Sequence, residues 1–67
     1  MTAIEAAKYV TNALAELELV KREGSLLVWH ENRMNTSDYL HLPEDEARKL
    51  EDGYQRKAAW LMGIGAG

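Results

Sequence analysis

The sequence predicts a small α+β fold in the order helix–β-hairpin–helix (α-β-β-α). Three observations carry that expectation. Apolar residues recur at helical spacing towards both ends of the chain. The middle holds two short apolar runs, Leu26-Leu27-Val28-Trp29 and the alternating Asp38-Tyr39-Leu40-His41-Leu42. Between these runs lies Asn32-Arg33-Met34-Asn35-Thr36-Ser37, the most turn-like stretch of the sequence.

The first helix is expected over about 2–22. Thr2 followed by Glu5 fits a capping box, in which the hydroxyl and the carboxylate each satisfy a first-turn N–H. Ala3, Ala7, Val10, Leu14 and Leu17 line one face, and Ile4, Ala13 and Val20 widen it. Lys21 and Arg22 suit the negative end of the helix dipole, and Gly24 is a natural terminator. An alternative ends the helix near Glu16 and makes residues 17–22 a third strand (α-β-β-β-α).

The two apolar runs read as antiparallel strands across a short polar turn. A four-residue loop places Leu27 and Trp29 opposite Leu42 and Leu40 on one side. Leu26, Val28 and His30 then share the other side with Tyr39 and His41. Pro43 stops the second strand and suits the first position of a helix, with Glu44, Asp45 and Glu46 at its positive end. Ala47, Leu50, Tyr54, Ala58 and Leu61 form its apolar stripe. Gly53 sits inside that stripe, at a cost of about 1 kcal/mol relative to Ala. The helix is expected to end near Met62. Residues 1–62 then make one compact domain, with 63–67 a flexible, glycine-rich tail.

Sixty-seven residues allow one domain with a thin core. There is no cysteine, which excludes disulfides and thiolate metal sites. A net charge of −3, from 11 acids against 8 bases, disfavours generic nucleic-acid binding. The N-terminal residues Met1-Thr2-Ala3-Ile4-Glu5 lack the basic region and apolar run of a signal peptide. No apolar stretch approaches the roughly 20 residues of a membrane span, so a cytoplasmic location is expected.

No motif frames a nucleophile. Ser25 and Ser37 sit beside turns, without a strand-to-helix elbow. His30 and His41, with Glu31 and Asp38 nearby, match no metal signature. The acidic clusters lie at a helix start and on a solvated face, away from the apolar surroundings that general acid–base work needs. Neither an enzyme nor a cofactor is therefore expected.

The informative feature is surplus apolar surface. Two helices can cover only one face of a two-stranded hairpin. Leu26, Val28 and Tyr39 then look outward with His30 and His41, while Trp60, Met62 and Ile64 exceed what the last helix needs. The expected function is a small protein–protein interaction module of accessory or inhibitor type, acting as a homodimer or on a protein partner. Its expected interface is Leu26, Val28, His30, Tyr39, His41, Trp60 and Met62. The alternative is a nucleic-acid-associated or virion-assembly protein using Arg48, Lys49, Arg56 and Lys57. Those cations are interleaved with acids at i, i+4, including Glu44–Arg48, Asp45–Lys49 and Asp52–Arg56.

In its helix–hairpin–helix order and length, the chain resembles the phage head-completion proteins of the lambda W type. No motif is shared, so the resemblance implies topology and a virion-assembly role without assigning residues. The size and plain chemistry also suit small phage or mobile-element accessory proteins. The three-strand alternative looks like a double-stranded RNA-binding domain. Its last helix should then open on lysines, where this chain has Pro43-Glu44-Asp45-Glu46.

Overall fold

The structure, a computed structural model, describes residues 2–66, with side chains through residue 63. Four helices follow one another: α1 (Ala3–Glu18), α2 (Glu23–Arg33), α3 (Ser37–Leu40) and α4 (Glu44–Ala66). No strand occurs among the described residues. This overturns the α+β hairpin fold and its three-strand alternative. The topological resemblance to head-completion proteins falls with the hairpin.

Burial explains why the middle is helical. A strand would put Leu27 and Trp29 on one face, yet Leu27 is 64% exposed and Trp29 5%. Leu40 and Leu42 differ in the same way, at 80% and 9%. The inward residues are Leu26 and Trp29, and then Tyr39 and Leu42, each pair three apart. That is helical spacing, hidden in runs too short to show a second period. The turn also shrinks. Helix α2 runs through Arg33, and Thr36 caps α3 by accepting from the Tyr39 N–H at 3.2 Å.

Helix α1 begins on the expected capping box. Thr2 Oγ1 accepts from the Glu5 N–H at 3.1 Å, and a Glu5 carboxylate oxygen accepts from the Thr2 N–H at 3.4 Å. The helix stops at Glu18, short of the expected Arg22, and Arg22 instead becomes the N-cap of α2. Gly24 therefore lies in the first turn of α2 and terminates nothing. The buried face of α1 is Ala6, Val10, Ala13 and Leu17, rotated from the expected stripe. Ala3, Ile4 and Ala7 are exposed.

Helix α4 keeps its expected stripe, with Leu50 and Leu61 buried and Ala47, Tyr54 and Ala58 packed against the core. It continues to Ala66, beyond Met62. Gly67, the last residue of the expected tail, lies outside the described residues.

Cross-helix contacts fix the directions. Trp29 meets Ala13 and Arg33 meets Tyr9, so α2 runs antiparallel to α1. Gly53 lies against Leu14 and Leu17, and Lys57 against Val20, so α4 runs parallel to α1. The result is a three-helix bundle, with α3 as the corner between α2 and α4. It measures 42 × 18 × 16 Å. One core joins all three long helices: Ala6, Val10, Ala13, Leu17, Val20, Leu26, Trp29, Leu42, Leu50 and Leu61.

Candidate functional site

A groove of about 460 Å³ runs between the parallel helices α1 and α4. Its apolar lining is Leu14, Leu17, Gly53 and Trp60. Glu18, Lys49, Asp52, Arg56 and Lys57 surround it. Gly53 lets α4 approach α1 closely. A Cβ there would stand 2.6 Å from Leu14 Cδ2 and 3.4 Å from Leu17 Cδ2.

Trp60 closes the groove at the end where α1 finishes, and it remains 46% exposed. Two ammonium groups attend its ring, Lys57 Nζ at 4.8 Å and Lys21 Nζ at 5.4 Å from the centroid. Lys57 also donates to the Val20 carbonyl oxygen at 3.1 Å, which fixes it just beyond the C-terminal end of α1. Neither lysine pairs with a carboxylate among the described residues.

The residues expected to form one interface are dispersed. Leu26 is a core residue, 7% exposed, and cannot contact a partner. Tyr39 packs against the core, and His30 is half-buried on Tyr54, with centroids 4.9 Å apart. Exposed His41 sits at the α3 corner, its Nδ1 2.6 Å from the Ser37 carbonyl oxygen. Val28 is exposed on α2, where it lines a shallow depression with Arg22, Gly24 and Ser25. Trp60 and Met62 are exposed towards the end of α4. The side chain of Ile64, grouped with them on sequence, lies outside the described residues.

The four cations of the nucleic-acid alternative are largely engaged. Arg48 pairs with Glu44, Lys49 with Glu46 and Arg56 with Asp52, each at 3.1 Å. The first and third pairs match the i, i+4 reading, whereas Lys49 chooses Glu46 over Asp45. A face laced in this way presents little bare positive charge to a phosphate backbone.

A second polar cluster joins α1 to the end of α2. Arg33 grips Glu16 through two 2.7 Å hydrogen bonds, and its guanidinium lies 5.2 Å from the Tyr9 ring centroid. The Tyr9 hydroxyl donates to the Arg33 carbonyl oxygen at 2.6 Å and lies 3.2 Å from Thr36 Oγ1. The Arg33 hydrogen bonds hold the Glu16 carboxyl below the usual carboxylate range. The same bonds push Arg33 up. This cluster is structural, because every group in it faces a partner from the same chain.

The groove itself was missed on sequence. The signal was present at Gly53, a glycine inside an unbroken helical stripe, where close approach of another element repays the lost propensity. Among the described residues, no group of three or more His, Asp or Glu side chains stands close enough to hold a metal. No helix among them is long and apolar enough to cross a membrane. Comparison with protein-family models, with curated proteins and with solved structures finds no match for the chain.

Proposed function

We propose that the chain is a non-enzymatic binding module that acts by engaging a protein partner through the α1–α4 groove and its Trp60 end. The observation that carries this reading is Trp60 itself. A large indole left 46% exposed at the mouth of an apolar groove is costly surface for so small a chain. Tryptophan is also among the side chains that anchor protein contacts most strongly.

Site-specific photo-crosslinking in cells tests this. A photoreactive residue at Glu18, on the rim of the groove, should give a discrete protein adduct, and one at Asn32 on α2 should not. No adduct at Glu18, or equal labelling from both positions, rejects the reading.

A further inference from the structure

We infer that the α1–α4 groove receives an acidic amphipathic helix from a partner protein. The inference rests on the protein-binding reading above and specifies its occupant. The first argument is shape. On α4 the lining positions 49, 53, 56 and 60 step along one ridge, facing 14 and 17 on α1. Eleven residue steps on α4 span about 16 Å, the length of three helical turns. A trough of that length between parallel helices suits a helix laid along it, which would turn the three-helix bundle into a four-helix one. A bilayer is a poorer fit, because it needs apolar groups that project, whereas Leu17 is buried and Leu14 half-buried.

The second argument is charge. The chain carries −3 overall. At the groove the balance reverses: Lys49, Arg56 and Lys57, with Lys21 over Trp60, stand against Glu18, Asp52 and the Glu46 that pairs with Lys49, a surplus of one positive charge. Arg56 is held by Asp52 and Lys49 by Glu46, which leaves Lys21 and Lys57 as the cations without a carboxylate. A partner helix with an apolar seam on Leu14, Gly53 and Trp60 would supply those carboxylates along its flank.

A display library of helical peptides with a fixed leucine seam and randomised flanks, panned against the full chain, tests the inference. Selected peptides should be enriched in Asp and Glu. Their affinity should drop by about tenfold or more with Lys57→Glu and with Trp60→Ala, each variant first checked by circular dichroism for retained helix content. Enrichment without acidic bias, or binding indifferent to both substitutions, overturns the inference while leaving a protein-binding groove. If nothing enriches and light scattering shows a dimer broken by Trp60→Ala, the occupant is a second copy and the inference falls alone. If nothing enriches, the chain stays monomeric and it sediments with phosphatidylserine vesicles, the inference and the protein-binding reading fall together.

Discussion

Trp29 reaches from α2 into the core and donates its indole N–H to the Ala13 carbonyl oxygen at 2.8 Å. Its ring stacks on Tyr54, 6.1 Å between centroids and 7° from parallel, so one side chain touches all three long helices. Trp29→Phe removes the donor and part of the volume, and should cost about 1–2 kcal/mol in urea unfolding. Glu16 offers a test by pH. Its folded pKa lies below its unfolded one, so its contribution is fully present above the unfolded value and is lost as pH falls through the folded value. The Glu16 side chain is 51% exposed, so the pair with Arg33 should contribute no more than about 1 kcal/mol. The stability gap between wild type and Glu16→Gln should therefore close on acidification below the ordinary carboxylate range. A gap that persists at low pH would mean that Arg33 does not act through the charge on Glu16.

Helix α1 and helix α4 were legible because each offers several turns of periodic signal. The Thr2–Glu5 box and the Leu50–Tyr54–Leu61 stripe carried real phase information. Helices α2 and α3 were not legible, because α2 buries only Leu26 and Trp29, and α3 buries no residue of its own, with Leu42 lying just past its His41 cap. Leu26 with Trp29, or Tyr39 with Leu42, fit period two or period three until the neighbours' burial is known. Thr36 was the missed clue, a capping residue ahead of a four-residue helix. Thr36→Ala should cost about 1 kcal/mol, as a lost cap and a lost neighbour for the Tyr9 hydroxyl. At Gly53 two effects compete. Alanine gains about 1 kcal/mol of helix propensity but must displace the Leu14 terminal methyl, so Gly53→Ala should stay within about 1 kcal/mol of wild type. Gly53→Leu should be destabilising by about 1–3 kcal/mol, because the close approach of α1 leaves no room. Thermal denaturation of both variants checks this.

The bundle as a whole has one core shared by three helices, with no subset of residues that packs alone. Unfolding should therefore be a single cooperative step. The transition followed by helical circular dichroism should coincide with that followed by core methyl resonances. Non-coincident midpoints would show that part of the bundle melts independently. A function was less legible than the fold, since Trp60 and Met62 were visible as surplus apolar residues but the trough beside them arises only when α1 and α4 lie side by side.

The parallel course of α1 and α4 has an electrical consequence. Their two macrodipoles point the same way, and only α2 opposes them. The positive poles meet Glu5, Glu44, Asp45 and Glu46, while Lys21, Lys57 and Arg56 gather towards the other end. The same end also carries Glu18, Glu23 and Asp52, so the molecule is a rod with one acidic end and one of mixed charge beside Trp60. At a net charge of −3, an anion-exchange surface should capture it by the Glu44–Glu46 tip and leave Trp60 pointing into solution, which sets the end of the protein that a sensor chip displays.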